Sequence, residues 1–252
     1  MESKRPLGPR SEGRDRRERV VFVACEGEST EPDYLDYLNK EFGEGDTTRV
    51  PFRIHPIAES NGMLPTETVA AIQGRREDPD EGWVLFDRDG TDRDNDIQQA
   101  MKEAAAAGIE VAFSHPSFDL WLLLHFQAFS GTQSGSSKVV VEKLRSAKGA
   151  EAFRNYDKRN DKSVKGDRRA ALEGKEKTAA ANAKALVNSC EYGTCQFKHA
   201  RSRPRDRAHA AQSTAQWTAR SGHAPGCPVL KRDPSTDVWR LLACLGIVPH
   251  AN

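Results

Sequence analysis

Apolar residues in the first half of the chain come in short blocks separated by amphipathic stretches. Val20 to Ala24, Phe52 with Ile54 and Ile57, Trp83 to Phe86, and Ile109 to Phe113 each have the length and the β-branched or aromatic content of a strand. Between the first two, Tyr34, Leu35, Tyr37, Leu38 and Phe42 fall at helical spacing. This helix follows Thr30-Glu31-Pro32, where Thr30 is placed to cap and Pro32 sits where a missing N–H costs nothing. A turn at Gly62 to Pro65 leads into a helix from about Thr66 to Arg76. Asp94 to Ala107 is an alanine-rich helix that Gly108 closes. Strands alternating with helices predict βαβ units, hence an α/β fold with a mainly parallel sheet flanked by helices.

His115-Pro116-Ser117 opens a further helix, with Ser117 as its cap and F-D-L-W-L-L-L-H-F from Phe118 to Phe126. That stretch is apolar nearly all round, so it predicts a helix buried on most of its surface. Beyond it the texture changes. Ser130 to Ser137 is rich in Gly, Ser and Thr and reads as a flexible connector. Asn155 to Arg169 is basic, Ala170 to Val187 reads as one Ala/Lys/Glu-rich helix, and Asn188 to Pro228 has little periodicity. Pro234-Ser235-Thr236 then caps a short helix with Val238, Leu241, Leu242 and Leu245 on one side. The chain therefore divides into a basic, disordered tail at 1–19, an α/β core at 20–129, and a basic, mainly helical extension at 130–252 that packs on the core.

Charge and composition narrow the picture modestly. In 252 residues, 38 Lys and Arg nearly cancel 37 Asp and Glu, so net charge points to no polyanionic partner. The tail carries Lys4, Arg5, Arg10, Arg14, Arg16, Arg17 and Arg19 with almost no apolar side chains. No run approaches the roughly 18 apolar residues of a membrane span, and no signal-peptide core is present. Five cysteines, an odd number, argue against a disulfide framework. These features predict a cytoplasmic protein away from membranes.

The candidate chemistry lies just beyond two of the strands. V-A-C-E-G-E-S-T-E runs from Val23 to Glu31, and F-D-R-D-G from Phe86 to Gly90. Ligands of open α/β sheets bind at the carboxyl ends of the strands. If the two strands are neighbours, Glu26 stands beside Asp87 and Asp89, an oxygen-only set suited to Mg²⁺ or Mn²⁺. Glu28 and Glu31 share the first loop and could serve a second ion. Arg88 either neutralises the aspartates or touches a phosphate. Each motif is also readable as a plain polar turn. Asp119 either stabilises its helix start through the dipole or joins the carboxylates. His125 reads as a core or capping histidine rather than a catalyst. Tyr156, Lys158, Arg159 and Lys162 form either a solvated loop or a contact for a phosphate backbone. Cys190, Cys195 and His199, with Cys227, His209 or His223, could hold zinc or fall together by chance. There is no Walker A motif, so any ATPase activity must belong to a partner.

V-A-C-E-G-E-S-T-E-P, then V-L-F-D-R-D, then S-H-P-S-F-D-L-W-L-L-L-H-F, in that order, resemble the RloB-like family within the wider group of Toprim-type catalytic domains. The resemblance is strongest from Val20 to Phe126. It continues through the region of Tyr156 and Lys158 and ends at the P-S-T-x-V helix. His115 stands where the family usually has Asn, and Asp119 where it has Glu, one methylene longer. The resemblance implies a Toprim-like sheet in which Glu26 is the Toprim glutamate and Asp87 and Asp89 the acidic pair, with Asp119 as a further metal position. It implies a Mg²⁺-dependent nuclease cutting RNA or DNA in bacterial anti-phage or abortive-infection defence, beside an ABC-type ATPase partner. The alternative is a non-catalytic or regulatory Toprim-like subunit that binds the ATPase or nucleic acid. A homo-oligomer is left open.

Overall fold

A computed structural model of the chain describes residues 18–75, 81–131, 136–201 and 213–250. The βαβ reading holds. β1 (Arg19–Cys25), α1 (Thr30–Phe42), β2 (Phe52–Ile57), α2 (Pro65–Arg75), β3 (Glu81–Asp87), α3 (Asp94–Ala107) and β4 (Glu110–His115) follow in that order, and α4 (Phe118–Leu124) comes next. The extension contributes α5 (Lys138–Ser146), α6 (Asp167–Leu172), α7 (Glu176–Asn188), α8 (Thr214–Thr218), β5 (Ser235–Thr236) and α9 (Val238–Cys244). The sheet runs β2-β1-β3-β4-β5, with the first four strands parallel and β5 antiparallel to β4. Among the described residues, no helix is long and apolar enough to cross a membrane.

Period-two alternation divides the strands between two cores. Val21, Val23, Cys25, Trp83 and Leu85 face α1, α4 and the helices of the extension. Ala24, Val84, Phe86, Val111 and Phe113 face α2 and α3. With apolar groups on both faces, the strands read as near-continuous hydrophobic runs. Every residue of α4 is buried, against α5 and α7 among others. Each of its leucines contributes roughly 1.5–3 kcal/mol relative to exposure.

Several local details differ from the sequence reading. Ser29, not Thr30, is the N-cap of α1; Thr30 is the first helical residue and its hydroxyl donates to the Lys162 carbonyl (3.0 Å). The single helix expected over Ala170 to Val187 is two, α6 and α7, because Glu173 is extended and Gly174 has φ of 75°. Pro234-Ser235-Thr236 is partly strand: Ser235 and Thr236 pair with His115 and Ser114 as β5. Asp237 takes the N-cap position of α9 without a side-chain cap bond, and the Val238 N–H donates to Thr236 Oγ1 at 3.5 Å. α5 begins at the end of the Gly/Ser connector, its Val140, Val141 and Leu144 buried at helical spacing. Arg19, expected to end the tail, begins β1 and pairs with Glu81 (2.5 Å). The rest of the tail, 1–17, and connector residues 132–135 lie outside the described residues.

The extension is tied to the sheet by a buried ionic triad. The carboxylate of Glu110 on β4 meets Arg220 (2.7 Å) and Arg240 of α9 (2.5 Å), all three side chains at most 7% exposed. Arg240 also donates to the carbonyls of Val111 and Arg201 and lies over the Trp83 ring. Removing one member of such a group leaves buried charge uncompensated. Glu110→Gln is therefore expected to cost roughly 3–5 kcal/mol in urea unfolding; a change near zero would mean the triad does not hold the extension.

His125 lies in the core, as the sequence suggested. It is 1% exposed, with Nδ1 at 2.9 Å from the Trp121 carbonyl and Nε2 at 3.3 Å from the Tyr34 hydroxyl. Burial pushes its pKa down to about 4, against an ordinary 6.5. The unfolded chain therefore takes up this proton first, and the stability His125 contributes is lost as pH falls from 6.5 towards 4. Each pH unit in that window costs up to about 1.4 kcal/mol. His125→Gln should flatten the stability profile there by about that slope, which pH-dependent urea titrations would measure.

Candidate active site

β1 and β3 are paired neighbours, so the two acidic motifs emerge side by side. The Glu26 N–H donates to Leu85 O at 3.0 Å, extending the ladder one residue past β1. In return, the Asp87 N–H donates to Glu26 Oε2 at 3.0 Å. Asp87 Oδ2 in turn accepts the Phe118 N–H at 2.8 Å, at the first turn of α4. The three segments thus aim their carboxylates into one cleft of about 830 Å³, lined also by Glu31, Asp89 and Asp119.

Glu31 enters because α1 starts immediately after the loop. Its carboxylate lies against Gly27, where any side chain would overlap it. Asp119, 3% exposed, accepts from Ser117 Oγ (3.1 Å), the Tyr156 hydroxyl (2.5 Å) and Lys162 Nζ (3.1 Å). Its helix-start position and its place among the carboxylates are therefore compatible, and the structure shows both. Asp89 is exposed at the cleft, and so is Glu28.

Crowding shows in the protonation behaviour. Burial pushes the Glu31 carboxyl up to about 7, with Asp119 and Glu26 adding to the rise. Burial, followed by the charges of Glu31 and Glu26, holds Asp87 well above the usual carboxylate range. Glu26 is raised by burial, though the Asp87 N–H and Arg93 partly offset this. Lys162 is pulled down by burial but held above its ordinary value overall, chiefly by Asp119. In a half-dry cleft, burial and neighbouring negative charge make the neutral form of a carboxyl easier to hold.

The basic residues fall into separate roles. Arg88 turns away to a bidentate pair with Asp94 (2.7 and 2.8 Å) and the Leu230 carbonyl (2.7 Å). Arg93, which no sequence pattern marked, instead pairs with Glu26. Tyr156 is fully buried, its ring against Phe153 and its hydroxyl on Asp119, so it offers no face for base stacking. Lys162 lines the cleft, whereas Lys158 and Arg159 are exposed on the adjoining loop. That loop carries Asp157, Arg159 and Asn160 at φ of 57–59°, rare for non-glycine residues. It is anchored by Thr30 on Lys162 O and by Asp33 on the Val164 N–H (2.9 Å).

The carboxylate oxygens of Glu26, Glu31, Asp87, Asp89 and Asp119 in the cleft suit a hard divalent ion such as Mg²⁺ or Mn²⁺. They do not close on one point as a tight chelating group does.

The family model for RloB-like proteins matches residues 21–245. The chain belongs to the RloB-like family. No curated protein and no solved structure matches it.

A cation that binds the folded cleft but not the unfolded chain stabilises by mass action, by about 2.7 kcal/mol at a hundredfold excess over Kd. Mg²⁺ or Mn²⁺ should raise the thermal midpoint of the wild-type chain. The Asp87→Asn, Asp89→Asn double variant should lose that shift; retention of the full shift would place the ion elsewhere.

Proposed function

We propose that this RloB-like protein is a Mg²⁺-dependent (or Mn²⁺-dependent) nuclease of the Toprim type, hydrolysing phosphodiester bonds of RNA or DNA in anti-phage defence. The observation that carries this reading is the meeting of Glu26 and Asp87 from adjacent parallel strands. Asp119 and Glu31 join them in a cleft where burial raises the carboxyls of Glu26, Glu31 and Asp87 above their ordinary range. Family membership supports it through the Toprim-type resemblance of the same motifs. That resemblance is also the basis for proposing a defence role and an ABC-type ATPase partner that licenses activity.

Glu26, Asp87 and Asp89 would hold the ion, with Asp119 beside them. When bound, the ion supplies positive charge against the non-bridging and leaving oxygens of the phosphate. The chain's own residues supply the rest. Glu31, at the cleft wall beside Glu26 and Asp119, would be the carboxylate to take a proton from an attacking water. Lys162 and Arg93, now on Asp119 and Glu26, are the cations nearest an incoming phosphate. Tyr156, through its hydroxyl, fixes the orientation of Asp119. Lys158 and Arg159 extend the positive charge outward along the loop for the nucleic acid backbone.

One observation favours the alternative, a non-catalytic subunit that binds the ATPase or nucleic acid. The Arg93–Glu26 and Lys162–Asp119 pairs partly compensate the carboxylates from within the chain. The readings separate in cells carrying the complete locus, scored for phage protection and for discrete cuts in total nucleic acid. Glu26→Gln and Asp87→Asn should each lower cutting by roughly 100-fold or more, with protein levels unchanged. Asp119→Asn should be severe as well. Full protection from a chain bearing both Glu26→Gln and Asp87→Asn would establish the binding-subunit reading instead.

A further inference from the structure

Away from the cleft, four metal-ligating side chains converge beyond the end of α7. Cys190 lies two residues past that helix and Cys195 five further on; His223 and Cys227 come from the segment leading towards β5. We infer that Cys190, Cys195, His223 and Cys227 form a structural zinc site. Their ligating atoms all lie within 4.8 Å of one another. Cys190 Sγ is 3.7 Å from Cys227 Sγ, and Cys227 Sγ is 3.8 Å from His223 Nδ1. Zinc–sulfur bonds near 2.3 Å set tetrahedral edges of about 3.8 Å, which these separations match. A disulfide would need the sulfurs at about 2.05 Å, and all five cysteines are free.

The surroundings are built to bring the two halves together. Gln196 N–H donates to Gly222 O at 2.9 Å, and Gly222 has φ of 98°. A Cβ at Gly222 would come within 2.9 Å of Gln196 O and 3.0 Å of Phe197 Cα, so only glycine lets these strands of chain approach. The Ala224 N–H donates to Cys195 Sγ at 3.3 Å and so orients that sulfur. Arg232 holds the Cys227 carbonyl at 3.0 Å. Cys195, His223 and Cys227 are buried and Cys190 is partly exposed, leaving one side by which an ion can arrive. The local apolar cluster is small, Val187 with Cys195 and Cys227 and a few partly buried neighbours. A metal supplies the cross-linking that so little core cannot.

The site departs from the spacing suggested by sequence alone. His199, four residues after Cys195, is exposed and outside the group, and His223 takes its place. His209 lies outside the described residues. Four protein ligands leave no open position, which marks a structural rather than a catalytic ion.

Elemental analysis of the full-length chain purified without added metal should find zinc equimolar with protein, and Cys195→Ser with Cys227→Ser should reduce it to near zero. His199→Ala should keep its zinc. Because the cysteine variant can fail to fold, the wild-type chain provides an independent readout. Exchange into Co²⁺ should give the strong visible absorption of a tetrahedral, thiolate-rich site, abolished by added Zn²⁺, and a strong chelator should lower the thermal midpoint. A wild-type chain without stoichiometric zinc that gives no such cobalt spectrum would overturn the proposal. So would a Cys190–Cys227 disulfide in the freshly purified chain, or loss of zinc in His199→Ala.

Discussion

Neighbouring parallel strands end on the same side of a sheet, so two that each finish in a carboxylate bring like charges into one half-dry space. β1 and β3 do this with Glu26 and Asp87, and the hydrogen bond from the Asp87 amide to Glu26 fixes the arrangement. α1 and α4 then add Glu31 and Asp119 from their first turns. Repulsion among partly desolvated carboxylates opposes folding unless protons, cationic side chains or a metal answer it. In this chain Arg93 and Lys162 answer part of it, and the carboxyls of Glu31 and Asp87 are raised above their ordinary range.

Much of the extension serves that cleft. The segment from Tyr156 to Val164 is fastened to α1 through Thr30 and Asp33, which brings Tyr156 and Lys162 onto Asp119. Tyr37 on α1 donates to Glu176 at the start of α7, so α1 is tied to the extension a second time. On the opposite edge of the sheet, β5 pairs with β4, and the buried Glu110, Arg220 and Arg240 lock α9 beneath it. The strand that presents Asp87 is thus flanked by β1 on one side and by a β4 braced from the extension on the other.

The strands and the pairing of the two acidic motifs were legible in the sequence, because buried parallel strands leave continuous apolar runs and carboxylates stand out at their ends. The composition of F-D-L-W-L-L-L-H-F likewise announced a buried helix. Other features depend on contacts between distant residues. Arg93 sits in a run of polar residues with no pattern to mark it, and only the turn after β3 brings it to Glu26. Arg88, beside the aspartates in sequence, is taken away by Asp94. Tyr156 looked like a surface aromatic among lysines, yet the anchored loop buries it. Short spacing favoured His199 near the cysteines, whereas the approach of Gly222 to Gln196 selects His223.

The central claim is that the carboxylate cleft is a divalent-cation site. A crystal of the full chain grown with saturating Mn²⁺, with anomalous scattering used to locate the ion, tests it directly. The account predicts an anomalous peak in the cleft in contact with oxygens of Glu26 and Asp87, with Arg93 displaced from Glu26. Arg93 still paired with Glu26 and no manganese in the cleft would contradict it.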